Sequence, residues 1–481
     1  MNLLDFIAIL PEIILALTGI IVLMVEVFIP HNRGNVGAAI GLIGLAAATL
    51  ACFPLNENLI VFSGTYVSDY YSFFFKVILF VIVALAITIS INYLNLLDIN
   101  QGEFYALLLF STLGLVIMVA GLDLIVIYLG LEMTALSSCA LVGFMVKDKK
   151  SNEAALKYFL LNIFASGILL YGISWLYGIT GKLGLLEIAD YLHNYADLDN
   201  PGLQLALLLL IVGFGFKLTY VPFHMWVPDV YEGAPTSIAA FLSLGPKAGG
   251  MAVLLRLFMN ALQPLTPIWT GIFALLSVIT MTMGNIIALR QNNLKRMLGY
   301  SGIAHMGYML MAASTLSKAP EMGTTAILLY LLTYIFMNLG PFAVIILLCR
   351  EKRVGDQLDD FKGLARHSPM AAIAMTIFLL SLAGIPPTGG FIAKFMIFAT
   401  VMKAQVYWLA VIGVINCAIA VFYYLRVVAA MYMEEPDSKM QLVFSTSLIT
   451  ALGVMACLAL LTGLWPSLFI RFAKQSVGVL M

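Results

Sequence analysis

Charge is what this 481-residue sequence has least of. Charged residues make up 10% of the chain and hydrophobic residues 62%, and the mean hydropathy is +1.01. Soluble globular domains carry about 25% charged residues, so this composition excludes that class. The net charge of +0, with no basic cluster interleaved with aromatics, argues against a nucleic-acid partner. The sequence therefore predicts a polytopic protein whose surroundings are the lipid bilayer.

Cofactor-binding motifs are also lacking. There is no CxxC pair, no phosphate-binding GxxxxGK[ST] loop and no GxGxxG run after a strand. The five cysteines stand singly in apolar runs, and we interpret them as small buried hydrophobic residues: Cys52, Cys139, Cys349, Cys417 and Cys457. We expect no cofactor in this chain, so any redox centre would belong to another chain.

Long apolar runs dominate the sequence. Runs of roughly 20 residues are long enough to span a bilayer, and they predict an all-α fold with about 14 transmembrane helices. The first run begins close to Met1 without a basic leader or small-residue cleavage site, and we expect it to be retained as a span. The predicted spans are 4–28, 36–54, 70–94, 103–120, 122–146, 153–177, 203–222, 235–260, 267–289, 296–315, 321–348, 369–402, 404–431 and 441–470. Proline and glycine interrupt the seventh and twelfth of them.

The basic residues of the loops indicate the orientation of the chain. Lys and Arg are retained on the cytoplasmic side of a membrane. One side of the predicted topology holds Arg33, Lys147, Lys149, Lys150, Arg290, Lys295, Arg296, Arg350, Lys352, Arg353, Lys362, Arg366, Arg426 and Lys439. The other side holds only Lys182, Lys318, Lys403, Arg471 and Lys474. This asymmetry predicts that both termini lie on the non-cytoplasmic side and that the number of spans is even.

Five titratable residues lie deep inside predicted spans: Glu132, Lys217, Lys247, His305 and Lys394. Counted along the helix axis, each lies about 14 to 21 Å from an end of its span, near the middle of a hydrocarbon core of roughly 30 Å. A charge at that depth costs roughly 2.5 to 3.5 kcal/mol on insertion scales. Chance retention of five such groups at one depth is improbable, so we interpret them as a functional row.

Other charged positions have structural interpretations. His305 alone could be a neutral core histidine. Lys76 and Arg256 lie nearer helix ends, and we expect them to reach the interface. Lys157 is intermediate in depth.

The stretch 213–235 combines Lys217 with three prolines and several polar residues within about one span. Such a break frees backbone groups, which must find partners in protein or water. Asp229, Glu232 and His224 fit a cytoplasmic turn that closes the break, whereas Lys217 lies too deep for that interpretation.

A buried lysine next to a movable carboxylate can exchange a proton. Burial disfavours the ammonium form and a nearby carboxylate favours it, so the distance between the two groups controls protonation. Glu132 is the only carboxylate deep enough to be that partner, and Lys217 is its candidate lysine. Lys247 would hand the proton on, and His305 with Lys394 would complete a path parallel to the membrane plane.

The two broken spans indicate an internal repeat. Spans four to eight and nine to thirteen form two sets of five, and the lysine-bearing break falls on the fourth member of each set. An odd number of spans inverts the second copy, as in secondary transporters. The predicted units are a three-span flank at 1–101, two inverted five-helix repeats at 102–262 and 263–432, and a C-terminal span at 433–481.

Three motifs carry a family resemblance: GFGFKLTYVPFHMWVPDVYEGAPT, NNLKRMLGYSGIAHMGYML and SLAGIPPTGGFIAKF. They are similar to motifs of the antiporter-like membrane subunits of proton-pumping NADH:quinone oxidoreductase, respiratory complex I, and the likeness covers essentially the whole chain. Within that family the N group is the most similar. Subunit L continues into a long lateral helix after its last spans, whereas this sequence stops at Met481, and subunit M typically has glutamate where Lys394 stands.

The resemblance implies roles for matching positions. Glu132 and Lys217 would be the coupled pair, Lys247 the connecting lysine and Lys394 the group of the far channel, with a looser assignment for His305. It also implies a subunit of a proton translocase, and the basic-residue pattern of the loops and the retained first span favour a bacterial inner membrane. Subunits M and K would be among its partners, and FMN, iron–sulfur clusters and quinone would be bound elsewhere in the complex. Two alternatives remain, an Mrp-type cation/proton antiporter subunit and a scaffold that has lost pumping.

Overall fold

The computed structural model describes residues 3–28, 34–53, 58–97, 99, 101–195, 197–349, 355–435, 442 and 444–478. Arg33, Arg350, Lys352, Arg353 and Lys439, which contributed to the predicted orientation, lie outside the described residues. The N-terminal part comprises α1 (Leu3–Ala8), α2 (Leu10–Phe28), α3 (Gly34–Cys52), the antiparallel hairpin β1 (Leu59–Val61) and β2 (Tyr66–Ser68), and α4 (Tyr70–Leu96).

The next part contains α5 (Gly102–Ala120), α6 (Leu124–Val142), α7 (Lys149–Thr180), α8 (Leu185–Tyr195), α9 (Pro201–Lys217), α10 (Val227–Gly233), α11 (Thr236–Leu242) and α12 (Gly245–Arg256). A π-helical turn, Leu257–Ala261, follows α12. The last part contains α13 (Thr266–Ala288), α14 (Leu294–Ala313), α15 (Pro320–Leu347), α16 (Leu364–His367), α17 (Pro369–Ala383), α18 (Gly389–Lys403), α19 (Tyr407–Met433), α20 (Thr446–Leu464) and α21 (Pro466–Val477).

Polar residues of the loops begin many of these helices. The Asp69 carboxylate accepts from the Ser72 backbone N–H, and the Ser72 hydroxyl oxygen accepts from the Asp69 N–H, which forms a capping box at α4. The side chains of Asp123, Asn293 and Ser445 cap α6, α14 and α20 by accepting hydrogen bonds from backbone N–H groups of the first helical turn. Because a helix start in a membrane protein leaves backbone N–H groups without partners, these caps fix where the spans begin.

Eleven helical stretches of the described chain are long and apolar enough to cross a membrane. They match eleven of the predicted spans, and the other three predicted spans correspond to α9, α14 and the pair α17–α18. The all-α polytopic fold is therefore confirmed, whereas the count of about 14 stays a prediction for those three. The last predicted span, 441–470, is too long, because α20 ends at Leu464 and the separate helix α21 begins at Pro466.

The two predicted sets of five spans share a packing order. Helix α5 packs along α6 and also contacts α12, and α13 in the same way packs along α14 and also contacts α19. Helix α7 packs on α6 and α9, as α15 packs on α14 and α17. The close α5–α6 contact depends on small residues, since a Cβ at Gly114 would approach the Gly130 carbonyl oxygen to 2.5 Å. The exact domain boundaries stay a prediction.

Both predicted breaks are present. The first separates α9, which ends at Lys217, from α10, and the second separates α17 from α18 around Gly384, which has a φ of 83°. Thr219 has a φ of 60°, a conformation that a β-branched residue rarely adopts. The eighth span, which was predicted to be continuous, is also interrupted, between Leu242 and Gly245.

The cysteines are less uniform than predicted. Cys52 and Cys349 are buried, Cys139 and Cys417 are half-buried, and Cys457 is exposed. The interpretation as buried hydrophobic residues is therefore wrong for Cys457.

Candidate functional site

Lys217 is the last residue of α9, at the edge of the first break. Its side chain is buried, and its ammonium group donates to the Asn162 side-chain oxygen of α7 at 2.5 Å. Because the chain turns away immediately after Lys217, the lysine lies at a helix end inside the bundle. Lys217 therefore has one neutral acceptor from a neighbouring helix.

Glu132, on α6, contacts the same helix α7 one turn away from Asn162. Its carboxylate accepts a hydrogen bond from Ser166, one helical turn beyond Asn162. No ion pair joins Glu132 and Lys217 among the described residues. Asn162 and Ser166 are four residues apart and therefore share one face of α7. They form a polar turn that lies between the Lys217 ammonium group and the Glu132 carboxylate. The predicted pair is thus connected through two residues that the sequence analysis did not identify.

A small cavity of about 10 Å³ lies between Lys217 and the residues that begin α12. Lys217, Pro246 and Gly250 contribute to its lining, and Pro246 directly precedes Lys247. Its volume is close to the roughly 10 to 15 Å³ that one water molecule requires. Thr134 and Tyr158 also line it and provide hydroxyl groups. The rest of the lining is apolar, and Lys247 adjoins this space only through its sequence neighbour Pro246.

Lys247 follows the break in the eighth span. It is 1% exposed, and its ammonium group has no hydrogen-bond partner among the described residues. A Cβ added to Gly302 would lie 2.7 Å from this ammonium group and 3.1 Å from the Tyr334 hydroxyl, which also lacks a described partner. Two buried polar groups thus meet where Gly302 leaves space. Such groups are costly to keep in a core and call for a functional explanation.

His305 lies one helical turn after Gly302 on α14. Its Nδ1 lies 2.5 Å from the Tyr330 hydroxyl and its Nε2 3.2 Å from the Tyr424 hydroxyl. The centre of its ring lies 5.0 Å from that of Tyr334. Since hydroxyl groups and neutral imidazole both donate and accept hydrogen bonds, this cluster can pass a proton in either direction.

Lys394 ends the row at the second break. Its ammonium group donates to the carbonyl oxygens of Leu382 and Ala383 at 2.9 and 3.0 Å, and these are terminal carbonyls of α17. The partial negative charge of a helix C-terminus favours a cation there. The ammonium group also lies 5.0 Å from the centre of the Tyr308 ring, whose own centre is 6.0 Å from that of His305. Tyr308 therefore connects Lys394 to the histidine.

The structure brings all five predicted residues into one row and adds polar residues between them. On α15, Tyr330, Tyr334 and Asn338 follow one another at intervals of four residues, and Asn338 donates to Ser243 at the break before Lys247. This four-residue interval was a readable signal. It was missed because tyrosine in an apolar run also fits an ordinary core.

Two of the predicted structural residues behave differently from expectation. Lys76 is 2% exposed and forms an ion pair with Glu12 at 2.8 Å. Arg256 is 3% exposed and forms a bidentate pair with Asp69 at 2.9 and 3.1 Å. The prediction that these residues reach the interface is wrong, because each has a carboxylate partner inside the protein.

A charged network covers the end of the first break. Asp229 binds Lys157 and Arg296, each at 2.8 Å, and Glu232 binds Lys150 and Arg296 at 2.8 and 3.0 Å. Burial raises the pKa of the Asp229 carboxyl, but its hydrogen bonds with Lys157 and Arg296 outweigh burial and hold that pKa below its ordinary value. Lys157, whose predicted depth in the membrane is intermediate, belongs to this network rather than to the row of five residues.

Comparisons with known proteins agree over nearly the whole chain. Residues 121–420 match the model of the transmembrane family of NADH:quinone oxidoreductase and Mrp antiporter proteins. The chain is 42% identical to NADH-quinone oxidoreductase subunit N of Trichlorobacter lovleyi, over 98% of this chain and 97% of that protein.

Two solved structures have the same fold. A chain of respiratory complex I from Thermus thermophilus with bound aureothin is 30% identical, with a TM-score of 0.81 over 96% of this chain and 98% of that one. A chain of the Mrp complex from a Dietzia species has a TM-score of 0.86 over 100% and 98% of the two chains. At 18% identity, the second likeness concerns the fold alone.

Proposed function

This chain belongs to the NADH-quinone oxidoreductase subunit N family, and from that membership we propose how it works as a proton-translocating subunit of the membrane arm. Electrons pass from NADH to quinone in other subunits, and this chain moves protons across the membrane. The observation that supports a proton path through this chain is the row of polar groups that runs from the half-buried Glu132 to Lys394.

The polar turn of α7 controls the first step. Asn162 and Ser166 hold the Lys217 ammonium group and the Glu132 carboxylate apart, so a small shift of α7 or of the break after Lys217 would change their distance. Since the interaction of two charges strengthens as they approach, that shift makes Lys217 hold or release its proton. The distance of the Glu132 carboxylate thus controls whether Lys217 is protonated.

The remaining groups carry the proton along the row. The cavity between Lys217 and the start of α12 is about the size of one water molecule, and the proton passes from Lys217 to Lys247 beside it. Tyr334 and His305, with its two tyrosine partners, relay the proton from there. Lys394 receives it at the terminal carbonyls of α17, where a positive charge is stabilised.

We further propose the surroundings of the chain. Its partners include subunits M and K, and FMN, iron–sulfur clusters and quinone are bound by other subunits. The complex lies in a bacterial inner membrane, with both termini of this chain on the non-cytoplasmic side. The basic-residue asymmetry of the loops supports that orientation. As part of this assembly the chain contributes to a translocase.

Substitution of the first pair tests the proposal. We expect Lys217→Ala and Glu132→Ala in the assembled complex to lower proton pumping into inverted membrane vesicles, and quinone reduction with it, since the two reactions are coupled. Lys182→Ala, at an exposed lysine paired with Glu187, is the matched control and keeps normal rates. Normal pumping in both test variants with normal assembly would remove Glu132 and Lys217 from the path.

The Mrp-type antiporter function is the second candidate, and the shared fold and the family model that covers both groups favour it. The 42% identity to a subunit N over 98% of the chain favours the first candidate. Genes for further oxidoreductase subunits beside this gene support the complex I function. Genes for small antiporter subunits, with sodium/proton exchange in vesicles, would support the Mrp function.

A further inference from the structure

A wide cavity opens on the side of the bundle where basic residues are rare. It has a volume of about 530 Å³ and lies between the start of α15, the end of α18 and helix α21. Lys318, Lys403 and Lys474 line it from three different segments, together with Glu321. Its lining includes no residue of the charged network on α10 and none of the groups of the proposed proton path.

The lysines of this cavity outnumber its carboxylates. Lys474 forms an ion pair with Glu321 at 3.0 Å. Lys318 donates to the Ala404 carbonyl oxygen at 3.2 Å, which neutralises no charge. Lys403 is exposed, and no carboxylate among the described residues contacts it. Two positive charges of the cavity therefore lack a counter-charge in the described chain.

The distribution of basic residues makes this cluster unusual. The predicted topology places five basic residues on the non-cytoplasmic side, where this cavity opens. Three of them line the cavity, and a fourth, Arg471, is next to the lining residue Ile470 in the sequence. The positive-inside preference removes Lys and Arg from this side of a membrane protein. Basic residues that are kept there in one place indicate a local need for positive charge.

The rest of the lining is apolar. Met396 and Ile470 belong to it, and Phe395, Leu468 and Trp465, which are near these two residues in the sequence, are 58, 65 and 69% exposed. Large exposed apolar side chains face hydrocarbon in a membrane protein, and tryptophan is enriched at the level of the lipid headgroups. The cavity therefore combines a cationic rim with an apolar wall that continues toward the lipid.

We propose that this cavity binds an anionic phospholipid, with its phosphate held by Lys318, Lys403 and Lys474. A phosphate ester carries the negative charge that these lysines lack, and the acyl chains match the apolar wall. Each lysine near a charged lipid contributes about fivefold in affinity, so removing two weakens binding about 25-fold. A zwitterionic headgroup gains much less from the same residues.

Cryo-electron microscopy of the assembled complex in lipid nanodiscs tests the proposal. In nanodiscs that contain phosphatidylglycerol we expect lipid density in the cavity, with the phosphate in contact with the lysines. We expect this density to disappear in Lys403→Gln/Lys474→Gln and to persist in the matched control Lys182→Gln, on the same side of the membrane. Lys403→Gln alone, at an exposed side chain without an ion pair, weakens the density if the double variant does not assemble.

Two further samples separate the sources of density. Phosphatidylcholine nanodiscs should leave the cavity without an ordered headgroup, and inorganic phosphate added to them should not restore one. Equal density in phosphatidylcholine would overturn the proposal, because charge would then not select the lipid. Density for phosphate alone, or a segment of a neighbouring subunit in the cavity, would overturn it as well. An empty cavity in phosphatidylglycerol has the same consequence.

Discussion

Replacing Asn162 by leucine removes the only described acceptor of the Lys217 ammonium group. Asn162 is 4% exposed, and leucine has the same branched skeleton of four side-chain heavy atoms, so the change removes polarity while largely keeping the packing of α7 on α9. If Asn162 positions Lys217 for proton exchange, the variant should assemble normally and pump poorly. A purely structural Asn162 would affect the yield of the complex instead.

The size of the effect follows from the hydrogen bond. Hydrogen bonds to charged groups contribute about 1.5 to 3 kcal/mol in soluble proteins. Side-chain hydrogen bonds inside membranes contribute about 0.6 to 1.7 kcal/mol. The two ranges overlap at about 1.5 kcal/mol, which corresponds to roughly a tenfold change in an equilibrium constant. The state in which Lys217 holds the proton should become less favourable by that factor, and pumping should fall up to about tenfold.

The assay compares initial proton uptake by inverted vesicles with the amount of assembled complex in the same membranes. Asn162→Gln keeps the acceptor and should recover most of the pumping. Asn152→Leu is the matched control, since Asn152 lies on the same helix but is exposed and donates to the Val146 carbonyl. Wild-type pumping in a normally assembled Asn162→Leu complex would refute the role of the α7 polar turn.

Three other substitutions test separate parts of the structure. Gly302→Ala should displace the Lys247 ammonium group and lower pumping up to about tenfold at normal assembly, and unchanged pumping would show that Lys247 tolerates the shift. Asp69→Asn leaves Arg256 buried without its carboxylate, which costs about 3 to 5 kcal/mol, so the amount of assembled complex should fall. The amount should fall less in Asp69→Leu/Arg256→Met, because that double variant removes both charges of the pair. Because the pKa of Asp229 is lower in the folded than in the unfolded chain, its ion pairs stabilise the protein above about pH 4 and are lost as the pH falls through the folded pKa. Asp229→Asn should therefore leave the shape of the activity profile between about pH 6 and 8 unchanged. Thermal unfolding should show that the protein is destabilised by under about 1 kcal/mol. A new inflection of the activity profile in that pH range would contradict the placement of Asp229 in the charged network.

The breaks were predictable because proline and glycine act locally. Proline removes a backbone donor and disfavours a helix, so the proline and glycine residues around Pro222 and Pro386 indicate where the breaks lie relative to Lys217 and Lys394. A single proline, Pro341, is accommodated inside α15. The interruption before Gly245 was missed although Gly245 and Pro246, at the start of α12, carry a comparable signal. Its partner is Asn338, which is far away in the sequence and donates to Ser243.

Ion pairing was less predictable than depth. Lys76 and Arg256 were assigned to the interface from their distance along a helix, yet each pairs with a carboxylate on another segment, Glu12 and Asp69. A helix rise of about 1.5 Å per residue gives depth from sequence position. It does not give the neighbour, which depends on how remote segments pack.

The sequence by itself determined that this chain lies in a membrane, and it predicts that five titratable residues share one depth: Glu132, Lys217, Lys247, His305 and Lys394. Hydrophobic run length, loop charge and helix rise are local quantities that suffice for both conclusions. Only the tertiary structure decided what stands between those residues: the α7 turn between Glu132 and Lys217, and Tyr334 beside Lys247. Helix α15 is buried along nearly its whole length, so no apolar stripe indicates which way Tyr334 faces. The rotation of such a helix is fixed by its neighbours alone.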